Sequence, residues 1–188
     1  MDNNKKILLD VPYYSQWLDV KDPDWQYRSC GVAALKMAML ALPSFSEEGD
    51  MGLDDLIKEG LASGAYKLNV GWIHEGLVNM AKKYEFSGSF RKEWAADKSA
   101  DGINFIIDII SQNIPVIASV KSSTGGHLVL LSGFENVGEK LLGFFMNDPD
   151  AKEISLGKNR FINIHDFMDL WKKRIIVIKK SPSFADGR

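Results

Sequence analysis

The stretch CGVAALKMAMLAL, residues 30–42, decides how this chain folds. Apart from Lys36, every residue in it is apolar or small, and Pro43 follows directly. A helix that is apolar on all sides is stable only when protein surrounds it, and a proline ends the helix because it lacks an N–H and clashes with the preceding turn. We therefore expect a buried helix over residues 30–42, with Cys30, the only cysteine of the chain, in its first turn.

The sequence after this helix changes from helical to strand character. Apolar residues at helical spacing come first, and runs of β-branched and aromatic residues follow. The expected helices are 53–60, 71–84, 101–113 and 161–171, and the expected strands are 115–120, 127–133, 142–147 and 174–179. Residues 7–28 are expected to be irregular. Helices followed by strands, rather than alternating with them, predict an α+β fold with a mostly antiparallel sheet.

Length and composition limit the class of protein. With 188 residues, of which 45% are hydrophobic and 26% charged, the chain is typical of one soluble globular domain. We expect a single domain at residues 1–180 and a flexible tail at 181–188. A net charge of −2 provides no basic field for nucleic acid or a membrane surface. The N-terminus lacks signal-peptide features and no run is long enough to cross a bilayer, so a cytoplasmic location is expected.

Cys30 has two interpretations. The unpaired N–H groups and the dipole at a helix N-terminus favour an anion, and the thiolate is the nucleophilic form of cysteine. Gly31 beside it would let a substrate backbone approach closely. However, a lone cysteine is often only a small buried apolar residue. Taken by itself, Cys30 therefore favours the packing interpretation, and a catalytic one requires partners elsewhere in the sequence.

A general base is the first partner needed, and the sequence contains three histidines. His74 and His165 lie in predicted helical segments, which is more typical of structural or exposed residues. His127 differs because it follows Gly125-Gly126, taken as a turn, and opens a predicted strand. The end of a strand would hold its imidazole at the edge of a cleft on a rigid support.

An acid that orients this imidazole is the second partner. If strands 127–133 and 142–147 form a hairpin centred between Val137 and Gly138, His127 faces Asp148 directly, with Cβ atoms roughly 4.5–5.5 Å apart. A carboxylate there would orient the ring and fix its tautomer. The alternative for Asp148 is a simple turn residue after a strand.

Acyl transfer also requires donors for a developing oxyanion. The backbone N–H of Cys30 is one candidate, and a side-chain amide is a common second donor. Gln16 lies in the loop that leads to Cys30, although most loop glutamines have no such role. Gly31, Gly126 and Trp17 are the candidate substrate-binding residues.

Five segments in order resemble the C39-like peptidases of the papain-like cysteine peptidase superfamily. They are VPYYSQ at 11–16, Cys30-Gly31 at the start of the apolar helix, IPVIA at 114–118, GHLVL at 126–130 and NDP at 147–149, within a resemblance that covers residues 8–178. The resemblance implies a papain-like fold, in which an N-terminal helical part with a buried nucleophile helix packs on the sheet. It also implies that Cys30 is the nucleophile, His127 the general base and acid, Asp148 the orienting acid and Gln16 an oxyanion donor.

The chain departs from the family pattern in two respects. Val32 stands where the family commonly has proline, which the first turn of a helix should tolerate. The best-known members are fused to peptide-exporting transporters and cut leaders after a double glycine. Because this chain has no membrane segment and no phosphate-binding G-x-x-x-x-G-K-[ST] loop, leader cleavage is not expected to carry over.

Three functions stay open at this point. The leading one is hydrolysis of a peptide or amide substrate through an acyl-enzyme on Cys30. The second is acyl transfer, in which an amine replaces water. The third is a non-catalytic peptide-binding domain that uses Tyr13, Tyr14, Trp17 and Trp25. No cofactor or metal is expected, because the sequence lacks H-E-x-x-H and paired cysteines; it indicates neither a specific substrate nor an oligomeric state.

Overall fold

The expected apolar helix is present as α2, Cys30–Leu40. The computed structural model describes residues 4–42, 52–123 and 125–181, and every residue from Gly31 to Met39 is buried in it. Helix α2 contacts two further helices and the central strands of a sheet. It ends two residues before the predicted boundary, and Pro43 lies outside the described residues.

The other elements of the described residues follow in chain order. The helices are α1 (Pro23–Gln26), α3 (Leu53–Ala62), α4 (His74–Lys83), α5 (Ser99–Ser111), α6 (Ile154–Gly157) and α7 (Ile164–Leu170). The strands are β1 (Asn4–Leu8), β2 (Tyr66–Lys67), β3 (Gly71–Trp72), β4 (Phe90–Glu93), β5 (Val116–Ser122), β6 (Gly125–Val137), β7 (Lys140–Asn147), β8 (Arg160–Asn163) and β9 (Trp171–Val177). Within the described ranges, no helix is both long and apolar enough to span a bilayer.

Seven of these strands form one antiparallel sheet in the order β4-β9-β5-β6-β7-β8, with β1 paired to the second half of β6. Strand side chains alternate between two cores. Ile117 and Leu130 face the core that contains α2, α3 and α4, whereas Val116 and Leu131 face the core that contains α5 and α7. The α+β class with an antiparallel sheet is therefore confirmed.

Several boundaries differ from those expected. The supposedly irregular residues 7–28 include the end of β1 and all of α1, and the expected helix 71–84 starts only at His74 because Gly71 and Trp72 pair with β2. The expected helix 161–171 is in fact β8 followed by α7. Asn163 separates the two, since its side-chain oxygen accepts a hydrogen bond from the Asp166 N–H at 3.0 Å and caps α7. Residues 182–188 of the expected tail lie outside the described residues.

Trp72 packs between α2 and α3, and both helices carry a glycine under its ring. A Cβ on Gly31 would lie 2.4 Å from Cγ of Trp72, and a Cβ on Gly60 would lie 2.4 Å from its Cζ3. The indole N–H donates a hydrogen bond to the Arg28 carbonyl at 2.7 Å, two residues before Cys30. Gly31 is buried, and its missing side chain makes room for Trp72.

This packing predicts the sign of two substitutions. Replacing an open helical glycine by alanine normally stabilises a protein by about 0.5–1 kcal/mol. At Gly31 and Gly60 we expect the opposite: Gly31→Ala and Gly60→Ala should each lower the free energy of unfolding by about 1–3 kcal/mol, because the new methyl group overlaps Trp72. Urea unfolding measures both. Stabilisation by either substitution would contradict the described packing of Trp72.

Candidate active site

Cys30 is half-buried and is the first residue of α2. Ser29, directly before it, does not cap the helix, since its hydroxyl donates to the Trp25 carbonyl at 2.7 Å instead. The N–H groups of the first helical turn are therefore not satisfied by the Ser29 side chain. Unpaired N–H groups and the positive end of the helix dipole stabilise negative charge, so this end of α2 is suited to an anionic group.

His127 lies on β6 and links Cys30 to Asp148. Its Nε2 is 2.7 Å from Oδ1 of Asp148, and the imidazole is also hydrogen-bonded to the Cys30 thiol. Because Asp148 occupies Nε2, the other ring nitrogen, Nδ1, is left for Cys30. The structure thus brings together three of the four residues assigned to catalysis, in the order thiol, imidazole, carboxylate.

The hairpin register that led to this pair was wrong by two residues. The β6–β7 pairing includes Leu130 opposite Asn147 and Val137 opposite Lys140, so His127 does not lie directly across from Asp148. Instead, the partner of His127 in the sheet is Val120 of β5. Next to Leu130 and Asn147 the shift is two residues, which leaves the side chains there on the same faces and explains how the expected contact survives the wrong register.

Each charged group of this site stabilises the ionised form of its neighbour. Burial alone would lower the pKa of His127, but hydrogen bonds to Asp148 and Cys30, together with their negative charges, raise the pKa from 6.5 to about 10. Burial alone would raise the pKa of Asp148, but the hydrogen bond and charge of His127 outweigh it. The Asp150 backbone N–H, 3.0 Å from Oδ1, and Arg160 also help to hold the pKa of Asp148 below its ordinary value. At neutral pH the pair is an imidazolium and a carboxylate.

A long-range contact between two loops places Asp148. The Tyr13 hydroxyl donates to the Asp148 carbonyl at 2.8 Å, and the Ser15 hydroxyl donates to the Ala151 carbonyl at 2.7 Å. Between them, the Gln16 N–H donates to the Pro149 carbonyl at 2.9 Å. Burial, followed by the charge of Asp148, raises the pKa of Tyr13 to about 12, so its hydroxyl stays protonated and able to donate. The segment before Cys30 therefore holds the turn that carries the acid.

Gln16 lies at the same contact and is only 3% exposed. Its side-chain Nε2 donates to Oδ1 of Asp150 at 2.6 Å, and Nε1 of Trp17 donates to the same oxygen at 2.8 Å. The Trp17 ring is half-buried, with the Lys152 ammonium 4.5 Å from its centre. The structure thus brings Gln16 and Trp17 to the turn that contains Asp148.

The other candidate residues differ in their surroundings. Gly126 is exposed, and both it and Gly125 belong to β6 rather than to a preceding turn as expected. The Lys172 ammonium donates to the Gly125 carbonyl at 2.9 Å, close to this end of the strand. Burial, followed by the charges of Arg174 and Arg91, lowers the pKa of His74 to about 4, so this histidine is neutral at pH 7.

Sequence reasoning missed the residues that hold the site together. Tyr13 was considered only as a family-motif residue and as a peptide-binding aromatic, Ser15 only as part of the family motif, and Asp150 was not singled out. The sequence gives little indication of their role, because they are polar side chains in two loops and local sequence patterns do not predict contacts between loops. Among the described residues, no group of three or more His, Cys, Asp or Glu side chains is arranged to hold a metal ion.

Comparison with known proteins identifies the family. The profile of the peptidase C39-like family matches residues 8–174, so the chain belongs to this family. No curated protein sequence matches it.

Solved structures give the fold. One similar structure is a double glycine motif protease from an AMS/PCAT transporter in complex with the leader peptide, with TM-score 0.56, 16% identity, and coverage of 93% of this chain and 95% of that chain. Another is the peptidase domain of Streptococcus ComA, a bifunctional ABC transporter involved in a quorum-sensing pathway, with TM-score 0.53, 19% identity, and coverage of 82% and 93%. The papain-like fold expected from the sequence is confirmed.

The electrostatics of His127 predict its titration. Since its pKa is about 10, the ring should stay protonated from about pH 5 to about pH 9. Asp148→Asn removes the negative charge that favours the imidazolium, so the pKa should fall by more than about one unit. A pH titration of the imidazole signals by NMR measures the pKa of His127 in both proteins. The signal of His74, whose pKa is about 4, serves as an internal control that should not move. An unchanged pKa of His127 in Asp148→Asn would contradict the coupling.

Proposed function

We propose that this member of the peptidase C39-like family is a cysteine peptidase that hydrolyses peptide or amide bonds through an acyl-enzyme. Cys30 is the nucleophile, His127 transfers the proton and Asp148 orients His127. Gln16, with the backbone N–H of Cys30, stabilises the oxyanion. The observation that carries the proposal is the half-buried His127 imidazole, bonded to Asp148 at 2.7 Å and also to Cys30. Family membership and the helix N-terminus under Cys30 add support.

In the first half of the reaction, Sγ of Cys30 attacks the substrate carbonyl carbon and a tetrahedral oxyanion forms. The negative charge that helped to raise the pKa of His127 then leaves the sulfur, so the imidazolium becomes more acidic. It gives its proton to the leaving amine, the C–N bond breaks and a thioester remains on Cys30. Asp148 stays ionised throughout and holds the ring in place.

In the second half, His127 is neutral and can accept a proton from water. The resulting hydroxide attacks the thioester carbonyl, a second oxyanion forms and the C–S bond breaks. The acid product leaves, and the Cys30 thiolate and the His127 imidazolium are restored. The oxyanion donors act in both halves, because each passes through the same kind of intermediate.

A peptide is the substrate class that the comparisons favour, since one structural neighbour was solved with a leader peptide. The same acyl-enzyme would support transfer to an amine if the second site excluded water. Product analysis with added glycinamide separates the two reactions: hydrolysis yields the free acid as the main product, and transfer yields the amide. A cytoplasmic location and a single domain over residues 1–180 are parts of the same proposal.

Iodoacetamide tests the nucleophile without knowledge of the substrate. Cys30 is the chain's only cysteine, so the reagent labels one thiol. We expect alkylation at neutral pH about tenfold or more faster than that of N-acetylcysteine, because an ordinary cysteine thiol is mostly protonated below its pKa of about 8.5. His127→Ala should slow the reaction towards that of N-acetylcysteine, because the imidazolium no longer stabilises the thiolate. His165→Ala, at an exposed position, is the matched control and should react like the unmodified sequence.

Cleavage is tested by incubation with a mixture of peptides of diverse sequence, followed by mass spectrometry. New peptide termini should appear with the native protein and be absent with Cys30→Ala. Fast alkylation without any cleavage would favour a non-catalytic peptide-binding domain, and equal termini from both proteins would rule out Cys30 as the nucleophile.

A further inference from the structure

We propose that Asp150 is a positioning residue that fixes the orientation of the Gln16 amide for the oxyanion. This inference rests on the proposed cysteine peptidase activity and assigns a role to a residue that stands outside the catalytic set. Asp150 is one position beyond Pro149 in the turn that begins at Asp148. It reaches Gln16 through its side chain and Asp148 through its backbone.

The carboxylate of Asp150 determines which end of the amide faces it. Oδ1 lies 2.6 Å from Nε2 of Gln16 and 2.8 Å from Nε1 of Trp17. An ionised carboxylate only accepts hydrogen bonds, so the amide must present its NH₂ group and not its oxygen. Hydrogen bonds to a charged acceptor are roughly twice as strong as neutral ones, which makes the flipped amide unfavourable.

The orientation matters because an amide NH₂ group has two hydrogens. One is bonded to Asp150, and in the proposed mechanism the second is the hydrogen that Gln16 donates to the oxyanion. If the amide flipped, its oxygen would replace this donor, and a carbonyl oxygen would repel a developing oxyanion. Gln16 is 3% exposed, so solvent has little access to reorient the amide.

The backbone of Asp150 has a separate role. Its N–H donates to Oδ1 of Asp148 at 3.0 Å, the same oxygen that accepts from His127. A substitution at Asp150 removes the carboxylate but keeps this N–H. The effect on the oxyanion donor can therefore be measured apart from the effect on the Cys30–His127 pair.

Two reagents separate these effects. Acylation of Cys30 by 4-nitrophenyl acetate passes through an oxyanion, whereas alkylation by iodoacetamide does not. The release of nitrophenolate measures the rate of acylation. We expect Asp150→Ala to slow acylation about tenfold to a hundredfold, which is less than the ~10²–10³-fold loss of rate caused by removal of an oxyanion donor. Alkylation should stay within about twofold of the native rate, because the Cys30–His127 pair keeps its contacts.

Further variants test whether Asp150 acts through Gln16. Asp150→Asn keeps an acceptor oxygen and should restore most of the acylation rate. In a Gln16→Ala background, Asp150→Ala should cause little further loss, since residues that act through one contact are not additive. Glu153→Ala, an exposed acid in the same segment, is the control and should leave both rates unchanged.

Each result decides between the alternatives. A selective loss of acylation, rescued by Asp150→Asn and absent in the Gln16→Ala background, supports the proposal. Unchanged acylation in Asp150→Ala, an equal loss of alkylation, or additive losses in the double variant would each overturn it. If the native protein reacts with both reagents no faster than N-acetylcysteine, the proposed peptidase activity itself fails. Fast native reactions with an unaffected Asp150→Ala overturn only the role of Asp150.

Discussion

Helix α2 is apolar on every side, and its burial is the constraint on which the other elements depend. Residues 31–39 are all buried, so the sheet must cover part of the helix and α3 and α4 another part. The helix is partly open to solvent at its two ends, Cys30 and Leu40, and Cys30 lies at the N-terminal end. The hydrophobic effect therefore fixes Cys30, the proposed nucleophile, at the N-terminus of a rigid helix. Trp72, seated on Gly31 and Gly60, holds this end of α2 against α3.

His127 and Asp148 are positioned by a strand and by loop contacts rather than by the burial of a helix. His127 is fixed by its strand, but Asp148 lies just past the end of β7 and is placed by loop contacts. The hydrogen bond from Tyr13 to Asp148 joins residues 135 positions apart, so the start and the later part of the chain must both be folded before the site exists. The same contact brings Gln16 beside the acid. The contact between the two loops thus positions both the Asp148 carboxylate and the Gln16 amide.

Sequence patterns predicted the elements whose stability is local or strongly hydrophobic. Helix α2 and strands β5 to β7 were found because their apolar runs are long. Strands β1 and β4 were missed, since NKKIL and FRKE contain few strand-forming residues, and their pairing with β6 and β9 outweighs this propensity. The register error arose at the turn. Gly138, with a φ of 59°, allows a tight turn over residues 138–139, and the hairpin is centred there.

For the site, the residue types were predictable and their supports were not. Cys30, His127 and Asp148 have chemistries that single them out in a sequence. The partners of Asp150 and Tyr13 lie more than a hundred positions away, and no local pattern reveals such contacts. The packing of Trp72 against Gly31 was equally unpredictable, because the two residues are remote in sequence.

The central claim is that Cys30 forms an acyl-enzyme with the help of His127. The most direct test is the intact mass of the protein after brief mixing with 4-nitrophenyl acetate and an acid quench. The account predicts one added acetyl group, located on Cys30, removed by hydroxylamine as a thioester is, and formed much more slowly in His127→Ala. Acetylation that occurs only on lysines, or that reaches Cys30 equally fast in His127→Ala, would contradict it.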